Sequence, residues 1–236
     1  MGKLITELVE AAEDCQLAGL VTEKGRQQDI GTFHPTLPLI GQDKMAKELP
    51  AGCVIIDFSL APALDGLIQQ TITLEAPLVI GTTGFNPDQK ASLEHFSTKF
   101  PVVHAANFSV GIPALQMLLQ LLAKTLPAGF DAEQVETHHS SKVDKPSGTA
   151  AHLAGIYEGI RKPEEPVITH SQRLGGTIGE HTWTFSDAEE TLVLTHRAHS
   201  RKAFLRGILP SVRFVATRKP GMYGLTHVLQ GLAEQT

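Results

Sequence analysis

Between Glu136 and Ala151 the chain reads E-T-H-H-S-S-K-V-D-K-P-S-G-T-A-A, and this stretch holds the residues best equipped for chemistry. His138 and His139 are adjacent, Lys142 follows three positions after the second, and Ser147-Gly148-Thr149 makes a small-residue turn. Histidine exchanges a proton near neutral pH. Lysine brings a fixed positive charge and becomes a proton donor once desolvated. The apolar run after the turn predicts a helix, whose first backbone N–H groups and dipole favour an anion. Together these features predict a pocket for a carboxylate substrate that must also be protonated. Taken singly, each residue has a plainer explanation: a strand histidine, a loop lysine, a serine N-cap. Neighbouring strand residues point to opposite faces, so His138 and His139 are badly placed to share a metal ion, and no metal is expected. The combination is far more specific than its parts.

The string H-H-S-S-K-V-D-K-P-S-G-T-A resembles the signature of the dihydrodipicolinate reductases, the reductases of the bacterial and plant diaminopimelate route to lysine. Asp57-Phe58-Ser59, Gly81-Thr82-Thr83-Gly84-Phe85, Ala105-Ala106-Asn107-Phe108-Ser109-Val110-Gly111 and Gly179-Glu180-His181-Thr182 resemble the same family in the same order. The resemblance covers nearly the whole chain. It implies reduction of a small cyclic imine dicarboxylate by NADH or NADPH. His138 would be the general acid/base and Lys142 a second proton donor. His139, Ser147, Gly148 and Thr149 would hold carboxylates. Phe58, Gly81, Thr82, Thr83, Ala105, Ala106, Asn107 and Phe108 would line the nicotinamide and its ribose. The family also implies a homotetramer.

The elements that must position these residues follow from periodicity. Helical spacing covers Lys3–Gln16, followed by a short strand at Leu17–Val21 and a loop over residues 26–43. Strands at Cys53–Phe58, Leu78–Gly81 and Val102–Ala105 alternate with helices over Ala61–Leu74 and from Pro87 to about Phe100. Apolar strands separated by helices predict a parallel sheet of the dinucleotide-binding type. Beyond it a long helix runs from Gly111 to Leu126. It leads into strand Glu133–His139, a helix over Thr149–Ile160, and strands at Val167–Arg173, Glu180–Ser186 and Thr191–Ala198. Arg201–Thr217 and Met222–Leu232 read as helices. The expected fold is α/β: an N-terminally truncated Rossmann-like domain over 1–109, and an α+β substrate and oligomerisation domain with a mixed or antiparallel sheet over 110–217. By resemblance, 218–236 returns to the first domain.

Composition bounds the function. Hydrophobic residues make up 42% and charged residues 19% of the chain, as in ordinary globular proteins. A net charge of −5 argues against nucleic acid or an anionic membrane as partner, because either needs a basic face. Only Cys15 and Cys53 are present and they form no CxxC pair, which suits a reducing cytoplasm.

The N-terminus departs from the pattern. A dinucleotide-binding fold opens with a strand and a glycine-rich turn that holds the pyrophosphate. This sequence begins Met1-Gly2-Lys3-Leu4, on what should be the first helix, and Met1-Gly2 matches only the end of that turn. A start codon assigned too late explains this better than a truncated product or a decayed gene, because the remaining motifs are intact. Gly2 is still expected at the cofactor. Glu23 suits the ribose 2′-hydroxyl of NAD and Lys24 the 2′-phosphate of NADP, so the preference stays open. Three function classes follow. The leading one is the reductase. A non-catalytic dicarboxylate-binding relative is the alternative. A metal-dependent hydrolase using His138, His139 and Asp144 is the third, which a chelator would reveal.

Overall fold

The computed structural model describes residues 1–23, 34, 37 and 39–233. The chain divides into two compact units, one formed by Met1–Phe108 with Leu205–Thr236, the other by Ser109–Phe204. In chain order the first unit contributes α1 (Gly2–Glu10), β1 (Leu20–Thr22), β2 (Leu39–Gly41), α2 (Met45–Glu48), β3 (Ile55–Asp57), α3 (Leu64–Thr73), β4 (Leu78–Ile80), α4 (Pro87–Ser97) and β5 (Pro101–His104). The second unit is α5 (Gly111–Thr125), β6 (Asp131–His138), α6 (Gly148–Arg161), β7 (Ile168–Arg173), β8 (Glu180–Ser186) and β9 (Thr191–Arg197). The chain then re-enters the first unit with α7 (Ile208–Val215), β10 (Gly221–Tyr223) and α8 (Leu225–Ala233).

In the first unit β3, β4, β5 and β10 form an all-parallel sheet in the order β10-β5-β4-β3, and β1 pairs in parallel with β2. Successive residues of a strand face opposite sides, and here both sides are covered. Leu78, Ile80 and Val102 pack with Leu64, Leu67 and Phe96 from α3 and α4. Val79 and Val103 pack on the other side with Ile5, Ile208, Val215 and Val228 from α1, α7 and α8. Helix α4 begins at an Asn86–Gln89 capping box with Pro87 in its first turn, a local signal strong enough to fix its start.

The second sheet is mixed, in the order β7-β6-β8-β9, with β6 and β7 parallel and the other pairs antiparallel. Helices α5 and α6 cover one face through Leu115, Leu119, Leu153 and Tyr157, which pack with Trp183 and Phe185 of β8. Strand β8 alternates buried and half-buried residues, the mark of a sheet covered on one side.

Four expectations from the sequence need correction. The 26–43 loop contains β2, whose Ile40 is buried among the α2 and α3 side chains. The helix read over Arg201–Thr217 is a 3-10 turn at Arg201–Leu205 and then α7. They are divided at Gly207, whose N–H donates to the Phe108 carbonyl at 2.7 Å; a Cβ there would lie 2.8 Å from that oxygen. The second unit ends at Phe204 rather than 217, because α7 packs on the parallel sheet. Helical periodicity tells which face of α7 is apolar, not which sheet it covers. Last, Gly221–Tyr223 is a strand beside β5 that precedes the final helix.

Leu153 is fully buried in the same cluster as Trp183, the chain's single tryptophan. Leu153→Ala is expected to lower the unfolding free energy by about 2–5 kcal/mol, the cost of lost burial plus a cavity. Urea unfolding followed by Trp183 fluorescence measures it, and a loss under ~1 kcal/mol would show that the helix–sheet core collapses around the gap.

Candidate active site

In the second unit the site is built where β6 ends. Cross-strand register sets side chains of the helix-covered face in rows. Gln134 lies opposite Thr169 and Trp183; Glu136 lies opposite Ser171 and His181, and His181 opposite His196; His138 lies beside Arg173. The covered face thus changes from aromatic to ionisable along the sheet. Glu136 is completely buried. Its Oε2 is 2.5 Å from His138 Nδ1, and its Oε1 accepts from Arg173 Nη2 at 2.8 Å and from the Ser147 N–H at 3.3 Å. Burial alone would raise the Glu136 carboxyl, but hydrogen bonds from Arg173, Ser171 and His138 override it and hold it at about 2. It is therefore a carboxylate throughout the neutral range.

Arg173 is nearly as buried, and it ties the signature loop to the sheet. Its Nε donates to the Lys142 carbonyl at 3.2 Å and its Nη2 to the Asp144 carbonyl at 2.5 Å. Ser147 caps α6: its Oγ accepts from the Ala150 N–H at 3.2 Å. The same oxygen lies 3.4 Å from His181 Nε2. His181 is held down to about 4, first by burial, then by the positive charges of His138 and His196. The His196 ring stacks on it with centroids 6.3 Å apart and approaches Ser109 Oγ at 3.4 Å. Burial also pushes His196 down.

Lys142 Nζ is 2.8 Å from Asp144 Oδ1. The Lys142 ammonium, helped by the Gly148 N–H, holds the Asp144 carboxyl below the usual carboxylate range. The Lys142 ammonium thus already holds one carboxylate, and a Cβ on Gly148 would meet nothing within 4 Å. Of the residues expected at the site, His138, Ser147 and Lys142 are drawn together through Glu136 and Arg173. His139 is turned to Ser141, with Nδ1 2.8 Å from its Oγ. Thr149 is half-buried in the first turn of α6. Ser147 has its N–H on Glu136 and its hydroxyl in the cap, which leaves Gly148 and Thr149 as the open part of the turn. The three side chains of the metal-hydrolase alternative face Glu136, Ser141 and Lys142 respectively. Among the described residues no group of three His, Cys, Asp or Glu side chains is arranged to hold a metal.

The sequence reading missed Glu136, Arg173, His181 and His196 as site residues. Glu136 was legible in part, since two residues before His138 on a strand means the same face. Arg173 and His196 depend on strand register, which no local pattern supplies.

In the first unit the expected cofactor residues lie on loops after β3, β4 and β5, where open parallel sheets bind ligands. The Asp57 carboxylate accepts from the Thr82 hydroxyl at 2.6 Å and the Ser59 N–H at 3.3 Å, joining two of these loops. A Cβ on Gly81 would lie 2.3 Å from the Phe58 ring, so the glycine lets backbone and ring meet flush. Phe108 is buried behind this wall, its ring centroid 5.3 Å from that of Phe58. His104 Nε2 lies 3.2 Å from the Thr82 carbonyl. Thr83 and Ala106 are exposed, and Ala105 and Asn107 half-buried. A flat aromatic wall beside a glycine turn fits a nicotinamide. Gly2 is the first residue of α1, and Glu23 follows β1 directly. Lys24 lies outside the described residues.

A doubly covered parallel sheet with loops at its strand ends, followed by a mixed sheet carrying a buried cluster of ionisable side chains, is an architecture of Rossmann-like oxidoreductases. Comparison with known proteins narrows the class. Residues 1–108 match the family model described as dihydrodipicolinate reductase, N-terminus, and residues 111–229 match that of the C-terminus. The 4-hydroxy-tetrahydrodipicolinate reductase of Syntrophus aciditrophicus is 35% identical, over 97% of this chain and 94% of its own length. That of Nitrosomonas europaea is 32% identical over the same shares. The structure of a dipicolinate-bound dihydrodipicolinate reductase from Paenisporosarcina sp. TG-14 superposes with a TM-score of 0.81 at 23% identity, covering 96% of this chain and 94% of that one. The chain belongs to the dihydrodipicolinate reductase family. These relatives lend no support to a non-catalytic dicarboxylate binder.

One consequence of the buried histidine row is measurable. Unfolded, His181 takes up a proton near 6.5; folded, it does so only near 4. Stability from this group is complete above pH 6.5 and is lost as pH falls toward 4, on the order of 2–3 kcal/mol. Urea unfolding at pH 7 and pH 4.5 should show that loss, and His181→Phe should flatten it. An unchanged slope in the variant would place the acid sensitivity elsewhere.

Proposed function

We propose that the protein reduces 4-hydroxy-tetrahydrodipicolinate, which loses its hydroxyl as water to give dihydrodipicolinate, to tetrahydrodipicolinate by adding one hydride and one proton, in the diaminopimelate pathway of lysine biosynthesis. The observation that carries this reading is the Asp144 carboxylate held by Lys142, in the loop that follows a histidine anchored on a buried carboxylate. A substrate carboxylate would take the place of Asp144 there. The names of the relatives supply the substrate, and the structural neighbour is bound to dipicolinate, a cyclic dicarboxylate with its two carboxylates flanking the ring nitrogen.

A bound nicotinamide supplies the hydride. The protein supplies orientation, charge and the proton. His138 delivers a proton from Nε2 to the atom next to the one that receives hydride. Lys142 balances negative charge as it develops and is the second proton donor. His139 and the Gly148–Thr149 end of the turn hold carboxylates, with Ser147 fixing the turn. Phe58, Gly81, Thr82, Thr83, Ala105, Ala106, Asn107 and Phe108 form the nicotinamide and ribose wall, with Gly2 at the pyrophosphate and Glu23 and Lys24 near the adenosine ribose. Either NADH or NADPH serves this reading. The protein acts as a cytoplasmic homotetramer, with no nucleic acid or membrane partner. Among the described residues no helix is long and apolar enough to cross a membrane.

His138→Gln or Lys142→Ala should lower turnover by about 10²–10⁴-fold, the usual cost of losing a proton-transfer group, with cofactor affinity nearly unchanged. Wild-type turnover in either variant would sink the assignment of that residue. Fluorescence titration with NADH and NADPH, run on this chain and on an N-terminally extended version, tests the cofactor half. Binding by the extended chain alone would assign the pyrophosphate grip to residues ahead of Gly2. Low-micromolar binding by both would assign it to the loops described above.

A further inference from the structure

Glu136 takes no direct part in the chemistry proposed above, yet among the described residues it is the one carboxylate that touches both His138 and the Ser147 N–H. We infer that Glu136 is a positioning residue: it fixes the tautomer of His138 through Nδ1 and, with the same carboxylate, sets the mouth of the carboxylate-binding turn through the Ser147 N–H. The inference rests on the reading of His138 as proton donor and deepens it.

The geometry leaves little choice. An ionised carboxylate only accepts hydrogen bonds, so the 2.5 Å contact from Oε2 requires a proton on His138 Nδ1. In the neutral ring Nε2 is then the bare nitrogen, and in the charged ring it carries the proton that can be given away. Nε2 lies on the side of Gly179, where a Cβ would be 3.2 Å away, so the glycine of Gly179-Glu180-His181 keeps that nitrogen clear. Proton balance follows simply. The imidazolium Nε2–H bond breaks, the substrate atom gains the proton, and the ring is left neutral with Nδ1–H still on Glu136. Arg173 neutralises the carboxylate from its other oxygen at 2.8 Å, which makes so deep a burial tolerable. His181 from β8 also faces His138, with ring centroids 5.4 Å apart, and the charge of Lys142 from the following loop reaches His181.

Glu136→Gln separates positioning from mere packing. Arg173 and Ser147 both donate to Oε1, so the glutamine must turn its oxygen to them and its NH₂ to His138. Nδ1 then becomes an acceptor and the neutral ring carries its proton on Nε2. The ring is no longer held as an imidazolium. We expect kcat to fall by about 10²-fold or more. The substrate KM should move within about three-fold, because the Ser147 contact survives, and NADH affinity should not change. Imidazole ¹⁵N–¹H correlation spectra read the tautomer without reference to turnover. The neutral His138 ring should carry its proton on Nδ1 in the wild type and on Nε2 in Glu136→Gln. A wild-type ring protonated on Nε2 overturns the inference, even if the variant fails to fold. So does a variant with the wild-type kcat, or a slow variant with its tautomer unchanged. Should His138→Gln keep full turnover, the functional reading fails while the spectra still report the Glu136 contact.

Discussion

The second unit depends on one buried charge. An isolated carboxylate in an apolar environment is costly enough that it would ordinarily stay protonated. Glu136 stays ionised because four donors from three elements converge on it: Arg173 and Ser171 from β7, His138 from its own strand and the Ser147 N–H at the start of α6. Each donor is thereby fixed. Arg173 then holds the backbone of the signature loop at Lys142 and Asp144, so that loop, strand end and helix start become one rigid assembly. Removing any one donor leaves the charge under-satisfied, which is the expensive way to disturb such a group.

Much of this architecture could be read from residue order. The strands at 55–57, 78–80 and 101–104 stood out because both faces are covered, so they are apolar without alternation. The start of α6 was legible from Ser147 followed by glycine and small residues, and that of α4 from Pro87. What could not be read was partnership. His138 meets Arg173 because β6 and β7 run parallel in one register, thirty-odd residues apart in the chain. Helix α7 has the same amphipathic pattern whichever sheet it covers, and β10 is three residues long with a glycine at its start. Short strands and helix destinations are set by tertiary contacts, and no local pattern encodes them.

The polar row on the covered face carries a structural cost that the aromatic rows beside it do not. Trp183 and Phe185 of β8 are fully buried against Tyr157, as expected of a helix–sheet core. One pleat along, the same face holds His181 and His196, and the Nδ1 atoms of both are buried without a partner. A sheet under selection for stability alone would place aliphatic side chains there. Neutral imidazoles at those positions keep the surroundings of Glu136 free of a second buried anion and fill the space that Gly111 leaves, where a Cβ would lie 2.4 Å from the His196 ring. The Gly179-Glu180-His181 segment is thereby accounted for residue by residue: Gly179 clears His138 Nε2, Glu180 pairs with Arg197 at 2.6 Å on the uncovered face, and His181 backs the Ser147 cap.

The same device, a buried carboxylate joining two loops, recurs in the first unit. Asp57 at the end of β3 accepts the Thr82 hydroxyl and the Ser59 N–H, and the Gly81 N–H donates to the Asp57 carbonyl at 2.8 Å. Loops at strand ends are inherently mobile, and a site that must hold a flat ring needs them fixed relative to one another. Asp57 does for the Phe58–Gly81 wall what Glu136 does for His138 and Ser147. The difference lies in the counter-charge. Among the described residues Asp57 is met by hydroxyl and amide donors, whereas Glu136 has Arg173. That difference fits the proposed roles, a flat wall in one case and in the other a carboxylate that stays charged beside a histidine proposed to give up a proton.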